Sequence, residues 1–73
     1  MTEEELLILR RNFIATLREQ RIAMRFTLTE LASRCGLTLT ALSRIEKGTT
    51  IPRLDTLVKI AAALGLKLEV AYL

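Results

Sequence analysis

Helix start and stop signals divide this 73-residue chain. A capping box, in which a threonine is followed three residues later by a glutamate, occurs at Thr2 and again at Thr27. A glycine follows three of the apolar stretches, at points where the left-handed backbone of a helix C-cap is easily adopted. These glycines are Gly36, Gly48 and Gly65. Signals at this spacing predict a mainly α-helical chain.

Between these signals, apolar residues recur at helical spacing and predict four helices. The helices cover residues 3–24, 28–35, 39–47 and 54–64, and Thr38 caps the third. The apolar stripe of the first helix is Leu6, Leu9, Phe13, Leu17 and Met24, widened by Ile14, and Met24 is expected in the core. The expected core residues of the shorter helices are Leu31, Ala32, Cys35, Leu42, Ile45, Leu57, Ile60, Ala61 and Leu64. Pro52 predicts a loop before the fourth helix.

The end of the chain has the two-residue period of a β-strand. Its alternating apolar residues are Leu66, Leu68, Val70 and Tyr72. A fifth helix using Leu66, Val70 and Leu73 is the alternative, although no capping residue opens it. Because a lone strand is not stable and no other segment resembles one, residues 66–73 are expected to pair with a second copy around a two-fold axis.

Length and cysteine content also favour association between copies. A domain of this size buries only about 60% of the surface that its unfolded chain exposes, so its stability alone is marginal. Cys35 is the only cysteine, which rules out an internal disulfide. The absence of histidine argues against a zinc site, so no metal is expected. With 51% hydrophobic residues, the chain has more apolar surface than a small monomer easily buries. We therefore expect a homodimer to stabilise the fold.

Several classes of protein are excluded by what the sequence lacks. The acidic start is unlike a signal peptide, and the longest apolar stretch, residues 60–66, is too short to span a bilayer. The chain has no histidine, no glycine-rich phosphate loop and no Ser–His or Cys–His pair, so neither an enzyme nor a cofactor is expected. We therefore expect one soluble, cytoplasmic domain without contact to a membrane.

Positive charge is concentrated after the acidic first turn. Between residues 6 and 68, eleven Lys and Arg residues stand against four acids, a local balance of +7. Such a surface favours polyanions such as nucleic acid, although an ordinary basic protein would show it too.

The second and third predicted helices, joined by the residues CGLT, match the helix-turn-helix pattern. Ala32 must be small because the next helix crosses closely over it, and Gly36 must turn the chain with positive φ. The residues that fix the angle between the helices are Leu31, Leu37, Leu42 and Ile45. The second of these helices can then enter the major groove of DNA with its N-terminal half on the base edges.

Residues 17–66 resemble the Cro/repressor-type (Xre) helix-turn-helix domain without a gap. The matching elements are LREQR, TELA, CGLT, LSRIEKG, a proline and LVKIAAALG. The resemblance implies a four-helix, repressor-like fold and an ion pair between Arg21 and Glu46. A strand directly after ALGL is similar to the HipB-type antitoxin branch, which dimerises through such a strand. Residues 1–16 extend beyond the minimal domain and offer a surface for a dimer seam or for another partner.

The resemblance also implies which residues face DNA. The base-reading face is Thr38, Leu39, Thr40, Ser43 and Arg44. Arg44 is the main candidate for readout because arginine can bond O6 and N7 of guanine together, with a phosphate contact as the alternative. Leu39 replaces the usual polar residue and either rests on thymine methyl groups or belongs to a protein contact. Thr38 is expected to cap its helix and touch phosphate.

Phosphate contacts are expected from a second set of residues, for which a solvated side chain is the alternative. This set is Thr27, Lys47, Thr49 and Arg53. Leu28 departs from the family, whose members usually carry a glutamine there that binds phosphate and braces the reading helix. Arg53 stands where an N-cap such as serine is common, and Arg25 replaces the glycine usual at the end of the first helix.

The resemblance therefore implies a regulator that binds double-stranded DNA as a homodimer. A repressor of a pseudo-palindromic operator is the main hypothesis. An antitoxin that also binds a toxin protein, for which the HipB resemblance suggests a kinase-like partner, is an alternative. A protein-interaction module with the same fold is another, favoured by the two apolar departures at Leu28 and Leu39.

Overall fold

The regular secondary structure is entirely α-helical in the computed structural model, which describes residues 1–69. The four helices are α1 (Glu3–Ala23), α2 (Leu28–Cys35), α3 (Leu39–Lys47) and α4 (Leu54–Ala63). The predicted helices are confirmed to within one residue at each end. None of the helices in this part of the chain is both long and apolar enough to cross a membrane.

Side-chain caps open the first three helices. In the capping box of α2, the backbone N–H of Glu30 donates to Thr27 Oγ1 at 3.1 Å and that of Thr27 donates to the Glu30 carboxylate at 3.3 Å. Thr2 and Glu5 form the same pair of bonds at α1. Since each cap satisfies amide groups that a helix start leaves without partners, the caps fix the boundaries that the sequence predicted.

All four helices end in the same hydrogen-bonded turn. A residue with positive φ follows the last turn, and the next N–H donates back to the carbonyl five residues earlier, as in a Schellman motif. The positive-φ residues are Arg25 (φ 59°), Gly36 (φ 71°), Gly48 (φ 76°) and Gly65 (φ 71°). The returning bonds measure 2.8–3.1 Å. Only Arg25 carries a Cβ in this conformation, which is strained for an L-residue.

Replacing Arg25 with glycine is expected to raise the free energy of unfolding by about 0.5–1 kcal/mol. The substitution removes a left-handed strain of about 1–2 kcal/mol, and the greater freedom of glycine in the unfolded chain offsets part of it. Urea denaturation followed by circular dichroism measures the change. Gly36→Ala is the matched control, because it creates the same strain at φ 71° with open space around the new Cβ, and it should destabilise. A neutral or destabilising R25G would contradict the assignment of strain to Arg25.

The core contains residues from every helix. Within residues 1–69, the buried side chains of this core are Ile14, Leu17, Leu31, Ala32, Cys35, Leu42, Ile45, Ile60, Ala61 and Leu64. The core residues predicted for the three short helices are confirmed, except that Leu57 is only half-buried against the cluster. Because α2, α3 and α4 share this core, the outer face of α3 is held in a fixed orientation.

The apolar stripe of α1 is a correction to the sequence analysis. Leu17 and Ile14 are buried, but Leu6, Leu9, Phe13 and Met24 are 37–51% exposed, so the prediction that Met24 lies in the core is wrong. For Met24 the reason is position, because it is the C-cap residue beyond the last residue of α1. For Leu6, Leu9 and Phe13 the reason is helix length. A 21-residue helix extends about 30 Å, whereas helices of 8–10 residues extend about 12–15 Å. The short helices cover only part of α1 and leave apolar side chains of its N-terminal half in water.

Cys35 is buried, as predicted, and has a structural role. Its thiol lies 3.9 Å from the carbonyl oxygen of Lys59 on α4. Burial raises the pKa of the Cys35 thiol from its ordinary value by desolvating the thiolate. The side chain therefore packs as a small neutral group between α2 and α4.

The segment predicted as a strand is only partly described. Residues 66–69 have no regular secondary structure, and Leu66 and Leu68 are half-buried against the core. This excludes a helical start at Leu66. Val70 and Tyr72 lie outside the described residues, so strand pairing between copies stays a prediction.

Candidate nucleic-acid interface

The turn between α2 and α3 sets the direction of the candidate reading helix. Leu31 and Ala32 of α2 and Leu42 of α3 are almost completely buried, so the two helices pack closely. The Leu37 N–H donates to the Ala32 carbonyl at 2.9 Å, across Gly36. With its inner residues buried, α3 presents its opposite side to solvent.

That opposite side is a continuous stripe, which we call the α3 stripe. Its members are Leu39, Thr40, Ser43, Arg44 and Lys47. Residues four apart lie on the same helix face, so Leu39 aligns with Ser43 and Lys47, and Thr40 aligns with Arg44. Ser43 is half-buried and the other four are exposed. The structure thus brings the predicted base-reading residues of α3 onto one surface, with the predicted phosphate contact Lys47 at its end.

The hydroxyl groups of three threonines among the predicted DNA contacts differ in whether they can still donate a hydrogen bond. Thr27 and Thr38 each use Oγ1 to accept a backbone N–H, from Glu30 and from Ala41 respectively. Within residues 1–69 neither hydroxyl donates a hydrogen bond, so each can offer its O–H to a phosphate oxygen. Thr49 donates its O–H to the Arg44 carbonyl at 3.2 Å. It must give up this bond at the end of α3 before it can donate to phosphate.

An ion pair fixes the C-terminal end of α3 to α1. Arg21 donates from Nε to Glu46 Oε2 at 2.8 Å and from Nη2 to Glu46 Oε1 at 3.0 Å. Its third nitrogen, Nη1, donates to the Phe26 carbonyl at 2.8 Å. The two side chains are only 12% and 11% exposed. One guanidinium therefore connects α1, the turn before α2, and α3, in a bidentate geometry that a lysine could not reproduce.

A comparison with known families decides the identity of this arrangement. The profile of the helix-turn-helix family matches residues 17–70, which contain α2, α3 and the Arg21–Glu46 pair. The chain belongs to the Cro/repressor-type helix-turn-helix family.

A curated protein resembles this helix-turn-helix chain over three quarters of the chain's length but over less than a third of its own. It is named uncharacterized HTH-type transcriptional regulator y4dL and comes from Sinorhizobium fredii (strain NBRC 101917 / NGR234). The two are 44% identical over 55 residues, which is 75% of this chain and 28% of the relative. No solved structure matches the chain significantly.

The departures from the helix-turn-helix pattern have different structural settings. Leu28 is half-buried against the core, so it contributes to packing at the start of α2. Leu39 is 48% exposed on the α3 stripe. Arg53 is the N-cap residue of α4, where its side chain makes no capping hydrogen bond.

Two interactions that brace this helix-turn-helix domain have no signal in the sequence. Gln20 Nε2 donates to the carbonyl of Leu64, 44 residues away, and so caps the end of α4. The Arg34 guanidinium lies 4.4 Å from the ring centroid of Phe26, a cation–π contact that joins α2 to the turn after α1. Residues 1–69 contain no group of three or more His, Cys, Asp or Glu side chains placed to hold a metal ion.

Proposed function

We propose that the protein is a DNA-binding transcriptional regulator that represses by occupying a pseudo-palindromic operator as a homodimer. The observation that carries the proposal is the α3 stripe. Its polar and cationic side chains face solvent on a helix whose other side is fixed in the core and whose end is clamped through Glu46. A helix held this rigidly can present hydrogen-bonding groups to base edges in one register.

Each part of the interface has a defined task in this proposal. Arg44 bonds O6 and N7 of a guanine, and Thr40 and Ser43 offer hydroxyl groups to neighbouring base edges. Thr27, Thr38 and Lys47 contact phosphates and so set the register of α3 on the duplex. Thr49 does so only after its hydroxyl leaves the Arg44 carbonyl.

Arg53 has a separate reason to contact phosphate. A cation at the start of α4 opposes the positive end of the helix dipole. An approaching phosphate reverses that penalty, because it is attracted both by the guanidinium and by the free amide groups of the first turn. The uncapped start of α4 thus fits a backbone contact better than a purely structural role.

Dimerisation follows from the requirement for two half-sites. Two copies related by a two-fold axis place two α3 helices in successive major grooves, roughly 34 Å apart. The tail residues Leu66, Leu68, Val70 and Tyr72 are the proposed pairing strand. The antitoxin hypothesis adds a toxin protein to this dimer and leaves the DNA contacts unchanged.

A protein-interaction module is the second candidate function. Leu39 favours it, because an exposed leucine at the N-terminal end of the stripe suits a protein surface as well as thymine methyl groups.

Selection of bound sequences from a random duplex pool, followed by fluorescence anisotropy at two salt concentrations, tests the proposal. We expect an enriched palindrome with half-sites about one helical turn apart. For a dimer making 6–10 phosphate contacts, affinity should fall about 10³- to 10⁵-fold between about 50 and 200 mM salt. A pool without enrichment, together with no binding at either salt concentration, would instead support the interaction module.

A further inference from the structure

An apolar groove runs beside the N-terminal half of α1, and we call it the α1 groove. Its volume is about 420 Å³. Its lining includes Leu6, Leu9 and Phe13, which we call the α1 wall, and Ile51 and Leu54, which we call the Ile51–Leu54 wall. Leu68 also lines it. Among its residues, Arg10 and Glu69 are the charged ones.

Much of this lining faces water in the single chain. Ile51 and Leu54 are 71% and 68% exposed, and the three α1 side chains are between 37% and 51% exposed. Apolar surface of this extent favours burial, and contiguous patches on small proteins mark interaction sites. The groove therefore offers apolar surface that an occupant would bury.

We propose that the α1 groove is the seam of the homodimer, in which the same groove of a second copy packs against it around a two-fold axis. The proposal rests on the homodimeric state given under the proposed function, and it names the surface that forms it. In this arrangement the α1 wall of each subunit lies against the Ile51–Leu54 wall of the other. The N-terminal extension, residues 1–16, thereby contributes to the dimer interface beside the predicted pairing strand.

Charge complementarity favours a second copy over another partner. The lining residues within 1–69 include one cation and one anion, so a two-fold axis can place Arg10 opposite Glu69 of the partner subunit, and the reverse pair forms by symmetry. A partner of strongly acidic or basic character would instead require lining charges of one sign. A surface that is neutral overall and complementary to itself matches a copy of itself.

Continuity with the predicted tail pairing is the second argument. Leu68 and Glu69 line the groove and lead directly into residues 70–73, which belong to the predicted pairing strand. A two-fold axis close to the groove thus brings both contacts into one seam. Small domains without disulfides commonly need such support.

Sedimentation of the full chain with Leu9→Glu or Ile8→Glu tests this seam. Ile8 and Leu9 are neighbours on α1, and each side chain is 51% exposed, but of the two only Leu9 lines the groove. We expect wild type and I8E to sediment at twice the monomer mass of 8.2 kDa. L9E should dissociate, with the dimer Kd raised about 30-fold or more, as for an interface hot spot. Circular dichroism checks that both variants remain folded.

A charge exchange provides a second test of the same seam. Arg10→Glu alone and Glu69→Arg alone should each weaken the dimer, and the double exchange should restore it. A dimer that survives L9E, a wild type that is monomeric at about 100 µM, or a double exchange that restores nothing would overturn the proposal.

Binding to a single half-site duplex separates this inference from the proposed function. If L9E is monomeric and still binds the half-site, both stand. If L9E is monomeric and neither it nor wild type binds DNA, the seam stands and the proposed function fails. If wild type binds the operator but L9E remains dimeric, the function stands and the seam is wrong.

Discussion

Replacing Glu46 with alanine is expected to lower the free energy of unfolding by about 3 kcal/mol. The substitution leaves the Arg21 guanidinium, which is only 12% exposed, without the carboxylate that accepts two of its hydrogen bonds. Removing one member of a buried ion pair costs about 3–5 kcal/mol, because the remaining charge stays desolvated. Urea denaturation followed by circular dichroism measures the change.

Arg18→Ala is the matched control for that prediction. The Arg18 Nε lies 3.9 Å from the same Glu46 carboxylate, but its side chain is 60% exposed. Exposed pairs contribute about 0–1 kcal/mol, so this variant should stay close to wild type. Equal losses for Glu46→Ala and Arg18→Ala, or a loss below about 1 kcal/mol for Glu46→Ala, would show that the pair does not brace the domain.

The exchange of both charged residues for apolar ones gives a further check. A double variant, Arg21→Met with Glu46→Leu, removes both charges at once and should recover part of the stability lost in Glu46→Ala. Recovery should be incomplete, because the Phe26 carbonyl loses the bond from Arg21 Nη1. This result would assign the destabilisation to an unpaired charge and not to lost packing.

Local rules predict the helix ends of this chain well. The caps at Thr27 and Thr38 and the turn at Gly36 depend on residues within five positions of each other, so the sequence contains all the information they need. The α3 stripe follows equally directly, because a helix of known limits places residues four apart on one face.

The periodicity of apolar residues does not show whether other helices pack on the face that these residues form. The spacing of Leu6, Leu9 and Phe13 shows that they share a face, but whether anything packs on that face depends on the lengths of the other helices. The bond from Gln20 to Leu64 is invisible for the same reason, since it joins residues that only the tertiary fold brings together. The hydrogen bond from the Thr49 hydroxyl to the Arg44 carbonyl is likewise known only from the three-dimensional structure.

Replacing Arg44 with alanine is expected to weaken binding to the selected operator about 10- to 100-fold per half-site, which corresponds to about 1–3 kcal/mol. Arg44 is exposed and lies one turn after Thr40 on the α3 stripe, so its truncation leaves the core intact. If it bonds a guanine, the loss should be confined to operators that retain that base. Fluorescence anisotropy with the selected duplex and with a duplex substituted at that position measures both affinities.

Lys47→Ala is the comparison that separates base readout from phosphate contact. Lys47 stands three residues after Arg44 and is also exposed, so both variants remove one positive charge from the same helix. A lost phosphate contact should weaken all duplexes alike and reduce the dependence of log Kd on log salt concentration by about one unit per half-site. If Arg44→Ala behaves in that way too, with equal losses on selected and substituted duplexes, then Arg44 contacts the backbone.

Base readout would in that case depend on Thr40, Ser43 and Leu39. Hydroxyl and methyl contacts discriminate bases less strongly than a bidentate arginine, so the selected consensus should be correspondingly weak.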